Sequence, residues 1–209
     1  MKLFLAAAVA AMTVAAPAFA GFFNQTATPG SSTSGAYAVY TDNTDAGSNL
    51  IGAGFTLTGP VSDLIVGANV DGFGSGLAAA FLVSLPSAGS LPNVTGGNLI
   101  AWLGANAIGA TLLNVPTSAG VASGDIVFAT PLAAGDYAVI FASNGSLNLT
   151  DGNNTIGTPN VFASLNGDTF SAYGYDTGIR IFEAPEPASL TILGLGLAAV
   201  GGLRRRRAV

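Results

Sequence analysis

Apolar residues along the middle of this chain recur with a period of two. Ile51, Ala53, Phe55 and Leu57 alternate with Gly52, Gly54 and Thr56, and the run stops at Gly59-Pro60. Leu64, Val66, Ala68 and Val70 repeat the pattern, as do Ala79, Phe81, Val83 and Leu85 before Pro86. In residues 137–141, the side chains at 137, 139 and 141 share one face of an extended segment. Further short apolar runs lie at 99–103 (with Trp102), 111–115, 126–130, 161–165, 170–175 and 179–182. Clusters of Gly, Pro, Asn and Asp separate them. Runs of four to nine residues between such clusters predict strands joined by turns. Residues 109–113 alone suggest a helical turn. About ten short strands without helical crossovers predict an all-β fold, an antiparallel β-sandwich of jelly-roll-like type. Alternation then puts one face of each sheet on the core and the other toward water. No repeat of fixed period points to a solenoid or propeller.

Both ends break this pattern. Met1-Lys2 gives a short positive start, followed by an apolar stretch through Val14. Pro17 and Ala18-Phe19-Ala20 follow, an A-x-A site with cleavage before Gly21. Residues 1–20 therefore read as a secretory signal peptide and imply signal peptidase as a partner. At the other end Pro185-Glu186-Pro187 precedes an uncharged apolar run over residues 188–203, then Arg204, Arg205, Arg206 and Arg207. Those 16 residues make a helix roughly 24 Å long, marginal against a hydrocarbon core of about 30 Å. The arginines snorkel into headgroups and stay on the cytoplasmic side, leaving everything before residue 188 outside. Between these signals, residues 21–35 read as a flexible leader, 36–184 as the sandwich domain and 185–209 as a C-terminal transmembrane sorting segment.

The order Pro-Glu-Pro, short apolar helix and arginine cluster resembles the PEP-CTERM sorting signal. That resemblance implies recognition of Pro185, Glu186 and Pro187 by an exosortase, a membrane transpeptidase-like enzyme that removes the helix and arginines. It also implies a Gram-negative producer of extracellular polysaccharide. A marginal helix suits a segment needed only in transit. The alternative is a permanent single-pass anchor.

Charge narrows the cargo. The chain has 6 bases and 11 acids, but Lys2 and the four terminal arginines belong to the signals. Residues 21–187 keep Arg180 as their one base against all eleven acids, a net charge of −10. Such a body repels phosphate backbones, which excludes nucleic-acid binding. Arg180 calls for a buried or half-buried partner, and Glu183 is an acid nearby in sequence. Cys and His are absent from the chain, and Lys and Met are absent from the body. There is accordingly no disulfide framework, no Ser-His-Asp triad and no thiolate or imidazole zinc site.

Three chemistries remain. Asp42-Asn43-Thr44-Asp45 and Asp151-Gly152-Asn153-Asn154 carry oxygen ligands of the kind calcium takes, although neither follows EF-hand spacing and Asp also serves turns directly. Tyr173 and Tyr175, two apart on one strand face, are candidates for stacking on sugar rings. Paired carboxylates could serve glycoside hydrolysis. The lead-in Pro131 to Tyr137, with Gly135-Asp136-Tyr137 feeding a strand, resembles that of many exported sandwich domains, a likeness of fold that licenses no activity. The reading is a non-enzymatic, cofactor-free protein of the cell surface or extracellular matrix, structural or adhesive in a biofilm. A carbohydrate-binding module for self-made polysaccharide is the alternative, and a carboxylate-dependent hydrolase a further one.

Overall fold

The structure is a computed structural model that describes residues 22–25, 36–39, 49–73, 77–95, 98–113, 121–145, 147–150, 160–165, 169–173 and 177–183. Phe22–Ala184 forms one compact unit. Its elements are β1 (Phe22–Gln25), β2 (Ala36–Val39), β3 (Leu50–Leu57), β4 (Leu64–Phe73), β5 (Ala78–Ser84), α1 (Leu99–Asn106) and β6 (Ala107–Leu112). They continue with β7 (Val121–Phe128), β8 (Gly135–Ser143), β9 (Leu147–Thr150), β10 (Asn160–Ser164), β11 (Ser171–Ala172) and β12 (Ile179–Glu183). The body is all-β in its layers, and its strand pairs are antiparallel.

Two six-stranded sheets result. One runs β1-β12-β4-β9-β2 with β7 on the other edge of β4, and the second runs β11-β10-β3-β8-β5-β6. Eight of these strands, β2-β9-β4-β7 against β3-β8-β5-β6, are wired as a jelly roll. From β2 to β9 the chain changes sheet at every step except β5 to β6. Strand β4 makes the arrangement possible by its length. Over Leu64–Ala68 it pairs with β12, and at Val70 and Phe73 it pairs with β9.

The period-two runs of β3, β4 and β8 point where the sequence places them, and that of β5 does not. Ile51, Ala53, Phe55 and Leu57 of β3, Leu64, Val66 and Ala68 of β4, and Tyr137, Val139 and Phe141 of β8 lie in one core between the sheets. In β5 the core side chains are Ala78, Ala80 and Leu82. The alternate set, Phe81, Val83 and Leu85, faces a second apolar cluster on the far side of the second sheet. There Leu99 and Leu103 of α1 pack on Ile140, Ala142, Phe162 and Phe170. The expectation that each outer face meets water is therefore corrected for this sheet, which α1 and the segment before it cover. Full burial on both faces also explains why residues 137–141 read as nearly continuous apolar sequence.

The helix itself corrects a second expectation. Residues 99–103 were expected as a strand and residues 109–113 as a helical turn, whereas 99–106 form α1 and 107–112 form β6. Asn98 starts the helix by accepting the Ala101 N–H on its Oδ1 at 2.6 Å. Leu99 and Leu103, four apart, fall on its one buried face. Each contributes about 1.5–3 kcal/mol by burial. Trp102 lies half-buried against the same cluster.

Close packing fixes two glycines. A Cβ at Gly52 would lie 2.6 Å from both the Phe162 ring and the Val139 carbonyl oxygen. The bare strand surface is thus occupied by that ring, which meets Phe170 edge-on at 5.0 Å. At Gly109 a Cβ would approach the Phe128 ring to 3.2 Å, where β6 of one sheet comes near β7 of the other. The lead-in to β8 is pinned as well. Tyr137 donates its hydroxyl to Ala133 O at 3.0 Å and stacks on Phe55, while Leu132 and Val61 exchange backbone bonds.

Strand β1 occupies Phe22–Gln25, inside the stretch expected as leader, because it adds to the free edge of β12. No helix among the described residues is long and apolar enough to cross a membrane. Residues 188–203, where a transmembrane sorting helix is expected, lie outside the described residues.

Candidate functional site: the strand that leads into the tail

Strand β12 is the last element before Pro185-Glu186-Pro187. Its residues alternate, so Ile179 and Ile181 enter the intersheet core while Arg180 and Phe182 face the other way. One edge pairs with β4 from Ile179↔Ala68 to Glu183↔Leu64. The other pairs with β1 through Phe22↔Phe182, Asn24↔Ile181 and Gln25↔Arg180. Both ladders are antiparallel, so β1 begins where β12 ends. The first strand after the expected Ala18, Ala20 and Gly21 cleavage site therefore lies beside the last strand before the Pro-Glu-Pro.

Arg180 secures this strand from within. It is 1 % exposed, and its Nη1 donates to Oδ1 of the fully buried Asn69 at 2.7 Å. Its position on β12 lies across from Gly67 of β4, a residue without a side chain to compete for that space. The Asn69 N–H in turn donates to Gly178 O at 2.7 Å. Asn69 sits at the point where β4 changes partner from β12 to β9, so one residue joins the guanidinium to both the ladder and its end. A pairing with one of the acids is expected for Arg180, Glu183 being an available one. Three positions apart on a strand, those two side chains leave from opposite faces, and the bond to Asn69 is one of the contacts that Arg180 makes.

Of the other candidate residues, Tyr173 is half-buried and packs against the intersheet core, its backbone N–H donating to Val161 O at 2.9 Å. Its ring is thereby committed to packing on one side. Tyr175 lies outside the described residues, as do Asp42, Asp45 and Asp151. Among the described residues no three His, Cys, Asp or Glu side chains gather to hold a metal ion. Asp136 instead accepts the Thr56 hydroxyl at 2.6 Å, a cross-strand contact between β8 and β3. Ala18, Ala20, Gly21, Pro185, Glu186, Pro187, Arg204, Arg205, Arg206 and Arg207 also lie outside the described residues.

Sequence reasoning missed Asn69 and β1. Strand parity would have ruled out Glu183 as the partner of Arg180. Nothing local in Phe22-Phe23-Asn24-Gln25 signals that it pairs with a strand at the far end of the chain.

Residues 183–207 match the family described as PEP-CTERM protein-sorting motif. No curated protein matches the chain. The match opens on Glu183, the last residue of β12, with Ala184 alone between that strand and Pro185.

Proposed function

From its PEP-CTERM sorting motif the chain is an exported protein addressed to an exosortase, and on that premise we propose that its sandwich is a structural or adhesive component of the cell surface or extracellular matrix. The observation that carries the reading is the sorting motif placed directly on a strand held along both edges. A terminus meant to be cut, and then to bear the body, is best rooted in a strand that does not peel.

The chemistry of the proposed sequence of events follows from the chain's own residues. The signal peptide of residues 1–20 directs export and is removed before Gly21. Arg204, Arg205, Arg206 and Arg207 hold the tail's end on the cytoplasmic side, and residues 188–203 tether the body during transit. Pro185 and Pro187 have no N–H to offer a strand ladder, which leaves this short stretch to the processing enzyme. Loss of both signals discards five positive charges, Lys2 and the four terminal arginines, and leaves residues 21–187 with a net −10. A strongly anionic surface keeps such a product soluble beyond the membrane. The role proposed is non-enzymatic, supported by a body without His, Cys or Lys, which lacks several of the side chains most used as nucleophiles and bases.

Replacing Pro185 and Pro187 together by Ala in the native host tests the reading. The expected result is a protein retained in the inner-membrane fraction with its tail intact, while the unaltered protein leaves that fraction. An unchanged distribution and unchanged C-terminus would overturn it.

A further inference from the structure

Residues 72–124 contain no Asp, Glu, Lys or Arg. This stretch builds β5, α1 and β6, so none of these three elements contributes a charge to a body of net −10. Strand β6 ends that sheet and pairs with β5 alone among the described residues. Its inward positions include Gly109, turned toward Phe128. Its outward positions are Ile108, Ala110 and Leu112, with Ile108 42 % and Leu112 61 % exposed. Leu77, just before β5, is 60 % exposed.

Sheet edges of soluble proteins are normally guarded by charge, proline or brevity. Edge strand β11 is two residues long, and the sequence of edge strand β7 includes Asp125. Strand β6, Ala-Ile-Gly-Ala-Thr-Leu, has neither guard. We propose that β6 is a self-association surface, and that its occupant is the β6 strand of a second copy, paired antiparallel about a two-fold axis.

Charge selects the second copy. Two bodies of −10 repel through their acids, and an edge strand without charge, beside elements that contribute none, is where they approach at least cost. Shape selects the register. A two-fold axis at Ala110 sets Ile108 of each copy opposite Leu112 of the other and brings the two small Ala110 side chains together. Each copy then supplies the edge N–H and C=O groups that the other lacks, and the interface is isologous and closed. The two second sheets become one continuous sheet of twelve strands. On a surface where exported copies are crowded, this pairs them without a linker.

The chain has no cysteine, so introduced ones report alone. Directly opposed antiparallel residues have Cα atoms about 4.5–5.5 Å apart, within the reach of a disulfide. The protein exported by its native host is oxidised as Ala110→Cys, and separately as a mixture of Ile108→Cys and Leu112→Cys copies. The expected result is a disulfide dimer from Ala110→Cys, and from the mixture more than from either variant alone. Adding Leu112→Lys to Ala110→Cys lowers the yield about tenfold, because it buries a charge against Ile108 of the other copy. Ser62→Cys, exposed in the turn after β3, serves as the collision control. Absence of the Ala110→Cys dimer in folded protein, or a yield no higher than that of Ser62→Cys, overturns the proposal and leaves the sorting reading untouched.

Discussion

Strands β12 and β6 are of similar length, yet they have opposite surroundings. β12 has a neighbour on each edge and a buried guanidinium bonded to Asn69. Among the described residues β6 pairs with β5 alone, and it exposes Ile108 and Leu112. The sequence reading separates them only in part, with residues 179–182 expected as a strand and residues 109–113 as a helical turn. What separates them is which strands the topology brings alongside. The strand on which the sorting motif begins is paired along both edges, and β6 along one edge among the described residues.

The largest effect is expected at the lock. Asn69→Ala removes the oxygen that accepts from buried Arg180, and should cost about 1.5–3 kcal/mol, the range for a hydrogen bond to a charged group. Chemical denaturation of the purified protein measures it. A loss below about 0.5 kcal/mol would mean the bond does not hold β12, and the contrast with β6 would fail. Gly52→Ala comes next. Its Cβ has to displace the Phe162 ring and the Val139 carbonyl, an overpacking that should cost about 1–3 kcal/mol, read as a fall in melting temperature. Leu112→Lys on β6 should be nearly silent, within about 0.5 kcal/mol, as for exposed positions generally. A cost comparable to that of Gly52→Ala would show that β6 is packed like the interior, and would erase the comparison.

Much of the fold was legible because period-two runs survive burial on one face. Residues 51–57, 64–68 and 137–141 all point as their alternation requires. The second sheet hid its wiring because both of its faces are apolar, so Ala79, Phe81, Val83 and Leu85 looked like a core set when Ala78, Ala80 and Leu82 hold that place. The helix was missed because eight residues with only Leu99 and Leu103 buried give too short a stripe to separate from a strand. Its one clear signal was Asn98. Strands β1 and β9, Phe-Phe-Asn-Gln and Leu-Asn-Leu-Thr, have too few apolar positions to stand out from loop, and long-range pairing makes them strands. The sorting segment was legible for the opposite reason. Its signal is composition and order (Pro-Glu-Pro, apolar run, arginines), which needs no tertiary partner.

The central claim is that this protein is cut at both ends on its way out of the cell. Intact-mass measurement of the protein isolated from its native host tests that most directly. The account predicts a mature chain that begins at Gly21 and ends near Pro187, without Arg204, Arg205, Arg206 or Arg207. A mass that still includes the four arginines would contradict it and make the tail a lasting anchor.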